Sequence, residues 1–226
     1  MNVTVVFPYR GSDPHRVRAF EYTRRHMETL LPGARVIVAD SGDEQFNRAA
    51  SRNLGVRQAD DGIVVVCDAD TLVRKRPLLE AIEEARDGRL HLPHTFFLSL
   101  TEEHTRRILD HGAGHRAGKP EFMVTTAVGG CLVIGRDAYL STGGQDEGFH
   151  GWGCEDVAFK FACDALLGPT VRHPGLMFGL WHPSEMDQSS EGYKRNIARE
   201  RLYRSARRDA TRMKELIRRL SCEYPL

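Results

Sequence analysis

Three apolar runs, each closed by small or polar residues, divide the first third of the chain. Val3-Thr4-Val5-Val6-Phe7 stops at Pro8-Tyr9-Arg10-Gly11-Ser12, Arg35 to Ala39 stops at Asp40-Ser41-Gly42, and Ile63-Val64-Val65-Val66-Cys67 runs into Asp68-Ala69-Asp70. Proline removes a ladder donor and glycine loosens a turn, so these stops read as strand ends. Between the runs the apolar positions recur at steps of three and four. Val17, Phe20, Met27, Leu30 and Leu31 follow an Asp13 N-cap and Pro14, and Phe46, Ala49, Ala50 and Leu54 precede Asp60-Asp61-Gly62. This alternation predicts right-handed crossovers and a mostly parallel sheet in a three-layer α/β sandwich, with the three polar strand ends side by side. The third run is apolar at every position, as in a central strand covered on both faces. Ligands of open α/β sheets lie beyond the carboxyl ends of the strands, where Asp68 and Asp70 are expected.

Downstream, Leu78, Leu79, Ile82 and Ala85 after Pro77 make a further amphipathic helix, followed by a strand around Leu90 to Leu92 and more apolar material from Thr95 to Leu100. A polar helix is expected from Thr101-Glu102-Glu103 to about His111, and then a loop from His111 to Pro120 that faces the acceptor, its histidines solvated. Strands over Phe122 to Val128 and Cys131 to Ile134 flank Gly129-Gly130, a pair that suggests close backbone approach. From Gly143 to Cys154 glycines surround aromatics, and Glu155-Asp156 then opens a helix with Val157, Ala158, Phe161, Ala162 and Ala165 inward. Strands are expected at Thr170 to His173 and Leu176 to Trp181, and one long arginine-rich helix from Tyr193 to about Leu220. The chain reads as one domain over 1–192, with a nucleotide-binding half (1–75) and an acceptor and catalytic half (76–192). Residues 193–226 are a basic helix packed on it or extending from it.

Composition narrows the picture little. At 226 residues and 41% hydrophobic the chain sustains one core, and 32 basic against 31 acidic residues announce neither a nucleic-acid nor a membrane partner. Five cysteines, at 67, 131, 154, 163 and 222 with no Cys-x-x-Cys, argue against a disulfide framework and a structural zinc site, and for a reducing compartment. With no charged leader and no run of membrane-spanning length, the expectation is a soluble, cytoplasmic protein.

Residues two apart on an extended segment point the same way, so Asp68 and Asp70 can converge on a hard cation such as Mg²⁺ or Mn²⁺ and the phosphates it binds. Two other readings stand beside this. The pair can simply be turn acids, or Asp-x-Asp-x-Thr can be the nucleophile strand of a haloacid-dehalogenase-like phosphatase. Against the phosphatase, two strand-helix units precede Asp68, and Lys160 follows the acidic pair Glu155-Asp156 rather than preceding it.

Several motifs, in order, resemble those of nucleotide-sugar-dependent glycosyltransferases of GT-A fold, the β-galactosyltransferases and family-two enzymes in particular. Pro8-Tyr9-Arg10 resembles their Pro-Phe-Arg, Phe46-Asn47-Arg48-Ala49 their Phe-Asn-Arg-Ala, and Ser51-Arg52-Asn53-Leu54-Gly55 their Ala-Arg-Asn-x-Gly. Gly151-Trp152-Gly153-Cys154-Glu155-Asp156 resembles Gly-Trp-Gly-Gly-Glu-Asp, with Asp-x-Asp upstream and Trp181-His182 downstream; Cys154 stands in place of a glycine and Val157 in place of an acid. The resemblance implies transfer of a sugar from a nucleoside diphosphate sugar, UDP-sugar foremost, to an acceptor hydroxyl with inversion. It assigns Asp70 and His182 to a Mn²⁺ or Mg²⁺ ion, Asp68 to the metal or the ribose, and Pro8, Arg10, Asp40, Phe46 and Arg48 to the nucleoside. Trp152 would sit on a loop closing over donor and acceptor, Glu155 would bind acceptor hydroxyls, and Asp156 would be the base. The acceptor is left open between glycan, protein, small molecule and modified DNA, and the basic helix between a polyanion contact and a subunit contact. A non-catalytic nucleotide-sugar-binding module remains the alternative of another class.

Overall fold

The computed structural model describes residues 2–11, 13–112, 120–183 and 187–221. The expected loop between His111 and Pro120 lies largely outside them.

A six-stranded sheet forms the core. Its first three strands are β1 (Val3–Pro8), β2 (Arg35–Ala39) and β3 (Ile63–Cys67), joined through α1 (Pro14–Leu30) and α2 (Arg48–Gln58). Both β2 and β3 pair parallel with β1, so the ends at Pro8, Ala39 and Cys67 share one edge of the sheet. α1 begins as the sequence suggests: the Asp13 carboxylate accepts from the His15 and Arg16 N–H groups, with Pro14 in the first turn. Its buried face, however, is Ala19, Thr23 and Met27, whereas Val17 is 37% exposed.

β4 (Thr71–Val73) follows β3 after only three residues, and α3 (Lys75–Glu84) leads through a tight helical turn (Ala85–Asp87) to β5 (His91–Leu92). Then come β6 (Phe96–Ser99), α4 (Glu102–His111), β7 (Phe122–Val124) and β8 (Cys131–Gly135). After α5 (Arg136–Ser141) and α6 (Glu155–Leu166) lie β9 (Val171–Arg172) and β10 (Leu176–Gly179). The main sheet runs β2-β1-β3-β8-β5-β9, with β8 alone reversed, and a second sheet, not foreseen from sequence, runs β4-β10-β6-β7. Because β8 is antiparallel to β3, with Cys131 opposite Cys67, it presents its start where β1, β2 and β3 present their ends. Gly129-Gly130 therefore arrives at the same edge as Pro8, Ala39 and Cys67.

The sheet is covered on both faces. On one side Phe7, Val65 and Val133 pack with Met27, Leu78 and Ala81; on the other Val6, Val64 and Ile134 pack with Val56, Tyr139 and Phe159. Val6, Val64 and Val65 are each fully buried, worth about 1.5–3 kcal/mol apiece. α2 lies unusually close to β1, since a Cβ on Gly55 would stand 2.3 Å from Val6 Cγ1.

The expected single C-terminal helix is two, α7 (Glu191–Ala206) and α8 (Ala210–Ser221). Asp209 makes the break: its side chain accepts from the Arg212 N–H, capping α8, while its own N–H bonds Ala206 O. α8 turns back so that Met213, Leu216 and Leu220 pack on α6 and α7 with Phe149 and Tyr203. No helix among the described residues is long and apolar enough to cross a membrane.

Candidate active site

The Asp-x-Asp segment is the turn between the two sheets. Asp68 N–H bonds Gly130 O at 2.7 Å, and Thr71 N–H closes the turn on Asp68 O. β4 then pairs antiparallel with β10, and the Leu180 N–H bonds Asp70 O, which carries the chain into Trp181 and His182 directly over the turn. His182 Nε2 stands 3.1 Å from Asp70 Oδ2. The other ring nitrogen, Nδ1, lies 2.8 Å from Pro183 O, a group that only accepts, so Nδ1 carries a hydrogen and Nε2 is the nitrogen turned to Asp70. The carboxylate beside His182 raises the imidazole above its usual value against the effect of burial. Burial works against ionisation of Asp70, but the His182 hydrogen bond and the nearby Arg16 and Arg48 charges outweigh it and leave the carboxyl below its usual value. A divalent cation suits such a pair, replacing the shared proton.

At the ends of β1 and β2, Arg10 forms a two-pronged pair with Asp40, Nε to Oδ2 at 2.7 Å and Nη2 to Oδ1 at 2.6 Å. Its guanidinium stands 5.6 Å from the centre of the Phe46 ring. Pro8, the last residue of β1, is in register with Ala39, which sets Arg10 beside Asp40. These four residues line one partly exposed corner, a planar cation and an aromatic face together.

The hub of the site is α2. Of its buried residues Ala49, Ala50, Gly55 and Val56 have no polar side chain; Ser51, Arg52 and Asn53 are buried with them. Arg52, 1% exposed, sends Nη2 to Asp68 Oδ1 and Nη1 to Asp156 Oδ1, each at 2.7 Å, with Nη1 also 2.8 Å from Gln145 Oε1 and 3.6 Å from Glu155 Oε1. One guanidinium thus joins the strand-end motif to the Glu155-Asp156 motif. Asn53 donates to Gln145 O and Glu147 Oε1 and accepts from the Tyr139 hydroxyl, Asn47 donates to Glu147 O, and Arg48 donates to Gly151 O. Sequence reasoning passed over Arg52 because an arginine amid helical alanines reads as solvated; its place in the Ser-Arg-Asn motif was the only signal.

Asp156 stands at the first turn of α6. Burial, only partly countered by Arg52 and reinforced by the Glu155 and Asp68 charges, pushes its carboxyl up to about 7. Gly129 is packed on it so tightly that a Cβ there would lie 2.2 Å from Asp156 Oδ2. Glu155 is buried beside it, 7% exposed.

Trp152 is held rather than free. Its ring stacks on Tyr193 of α7, centroids 5.4 Å apart at 25°, and Asn196 Nδ2 donates to both His150 O and Trp152 O. Arg199 and Tyr203 of α7 both bond Asp146 at the start of the same loop. Arg204 pairs with Glu200 and lies over Phe161, so these two arginines of the basic segment serve the fold. At the loop's end Cys154 has φ +78°, the one non-glycine residue with positive φ among those described. A left-handed residue with a Cβ costs roughly 1–2 kcal/mol. Cys154→Gly is therefore expected to hold or raise the melting temperature, and Cys154→Val, β-branched, to lower it by several degrees in a thermal unfolding scan; equal melting temperatures for the two variants would refute the strain.

The family model for the N-terminal domain of galactosyltransferase matches residues 113–160, a stretch that includes Glu155-Asp156. No curated protein sequence matches the chain. Among solved structures, Drosophila β-1,4-galactosyltransferase 7 in complex with manganese, UDP-Gal and xylobiose aligns over 86% of this chain and 79% of its own, at 17% identity and a TM-score of 0.56. Its catalytic domain in complex with xylobiose aligns similarly, over 87% and 79%, at 18% identity and a TM-score of 0.56. GalNAc-T7 with UDP, GalNAc and Mn²⁺ aligns over 97% of this chain but 55% of its own length, at 12% identity and a TM-score of 0.56. The chain has the GT-A fold that these glycosyltransferases share.

Proposed function

We propose that the protein is a metal-dependent glycosyltransferase that moves a hexose from a UDP-sugar to an acceptor hydroxyl with inversion. The observation that carries this reading is the double hydrogen bond of Arg52, which holds Asp68 of the donor side and Asp156 of the acceptor side at 2.7 Å from one guanidinium. Asp70 and His182 would hold Mn²⁺ or Mg²⁺, with Asp68 nearby. The ion, when bound, supplies positive charge that offsets the charge gathering on the departing diphosphate. Arg10 and Phe46 flank the base, with Arg10 fixed by Asp40, and Pro8 sets the strand end that presents them. Arg48 and Arg16, whose charges already act on Asp70, lie on the phosphate side.

In the transfer itself the acceptor hydroxyl gives its proton to Asp156, the oxygen forms the new bond to the anomeric carbon, and the bond from that carbon to the diphosphate breaks, its electron pair leaving with UDP. A base near neutrality suits this step, because it is ionised at working pH yet strong enough to take the proton. Glu155, buried beside it, orients acceptor hydroxyls, and Trp152 on its glycine-flanked loop forms a wall of the acceptor side.

The test is UDP release from a panel of UDP-hexoses with simple sugar acceptors. EDTA should abolish release and Mn²⁺ restore it, while Asp70→Asn and His182→Ala should lose at least ~10²-fold. UDP with Mn²⁺ at 100 times its dissociation constant should add about 2.7 kcal/mol of stability to the parent only. Full turnover in excess EDTA would overturn the metal assignment; stabilisation by UDP without release from any donor would make the protein a binding module.

A further inference from the structure

Away from the ligand edge, a second group of ligating side chains is gathered under the end of α3. His91 Nδ1 faces His173 Nε2 at 3.0 Å, and both residues are buried, at 0% and 4% exposed. A Glu84 carboxylate oxygen completes a trio whose ligand atoms all lie within 4.8 Å of one another. His91 sits opposite Val133 in β8, itself opposite Val65, so the group lies level with the middle of β3 rather than beyond its end, where Asp68 and Asp70 are.

The chemistry of the trio is set by what stands behind it. His91 Nε2 is 3.0 Å from Asp87 Oδ1, and Asp87 is itself fixed by the backbone N–H and the Nε of Arg89, both at 2.8 Å. A carboxylate at Nε2 places the ring hydrogen there and leaves the Nδ1 lone pair aimed at His173. This carboxylate-histidine arrangement is the one that orients imidazoles toward zinc. Two nitrogens each 2.0–2.1 Å from a tetrahedral ion stand about 3.3 Å apart, close to the separation seen. Two imidazoles and one carboxylate favour zinc over Mn²⁺, which prefers oxygen donors. Exposed Glu84 gives the ion a way in from solvent.

We infer that Glu84, His91 and His173 form a structural zinc site, separate from the catalytic cation, that ties the short edge strand β9 and the end of α3 to the main sheet. Cysteine spacing gave no hint of it because no cysteine takes part. Each strand there supplies only two residues, and their parallel pairing rests on few hydrogen bonds, among them Val171 N–H to Leu90 O and His173 N–H to Leu92 O. A cation bridging His91 and His173 would clamp the pair.

The test is zinc added alone to chain stripped with EDTA, followed by calorimetry, thermal unfolding and the visible spectrum of the Co²⁺ form. Asp70→Asn, which lacks the other cation pair, should still bind one zinc, gain melting temperature as the parent does, and give the intense Co²⁺ bands of a tetrahedral site. Glu84→Gln, an exposed change that leaves the fold intact, should bind zinc at least ~10-fold more weakly, and His173→Gln should lose the stabilisation. If zinc binding disappears with Asp70→Asn but survives Glu84→Gln, or if zinc stabilises neither parent nor Asp70→Asn, the inference fails and the two histidines form only a hydrogen-bonded chain ending at Asp87.

Discussion

Replacing Asp156 with asparagine is expected to lower sugar transfer at least ~10²-fold, the scale on which enzymes lose a general base, while UDP binding persists. The pH profile supplies the sharper signature. Because the carboxyl is pushed up to about 7 by burial and by the Glu155 and Asp68 charges, parent activity should climb as pH rises through neutrality. Stability should move the other way. A carboxyl whose folded value lies above its unfolded value of about 3.9 binds more protons in the native state, so its stabilising contribution is complete below that value and is lost as pH rises through the folded one. Asp156→Asn should therefore match or exceed the parent melting temperature at pH 8, with the difference narrowing toward pH 4. Near-parental transfer by the variant, or a variant melting well below the parent at pH 8, would remove the base assignment.

The largest loss of stability is expected from Arg52→Met. The apolar stem is kept, but Asp68, Glu155 and Asp156 lose their shared cation inside a site where Asp156 is one-fifth exposed and Glu155 one-tenth or less. Removing one partner of a buried ionic network costs roughly 3–5 kcal/mol, chiefly for the charge left behind. At 2–4 °C per kcal/mol for a domain of this size the melting temperature should fall by roughly 6–20 °C. The deficit should be smaller at pH 5 than at pH 8, since protonation relieves the stranded carboxylates. An unfolding midpoint unchanged at pH 8 would show that Arg52 contributes little to the fold.

The strands β1, β2 and β3 could be read from sequence because each is a short apolar run that both faces of a covered sheet require, and Asp13 with Pro14 marked the start of α1 by capping chemistry alone. The positions of Asp70 and His182 followed from motif order, but their meeting depends on β4 and β10, two strands of three and four residues whose pairing leaves no periodic trace. The reversal of β8 was equally hidden, since an apolar run says nothing about direction. The C-terminal break was written in Asp209, but as a cap that competes with a continuous helical pattern around it. α2 misleads for a physical reason: its inner face meets other polar groups, so burial there selects hydrogen-bonding partners rather than apolar side chains.

The reach of α2 has a consequence for the order in which the molecule can be made. Arg52 meets Asp156 across 104 residues, Arg48 meets Gly151 across 103, Asn47 meets Glu147 across 100 and Asn53 meets Glu147 across 94. Contacts so distant in sequence raise the entropy of closure and slow the final assembly. On a ribosome adding about 5–20 residues per second, α2 waits roughly 5–20 s for the segment that satisfies it. During that interval the parallel strands can already pair, but Arg52 has no Asp156, Glu155 or Gln145 to meet. The same guanidinium that joins the two halves of the site thus makes an emerging chain vulnerable until Gln145, Glu155 and Asp156 have emerged.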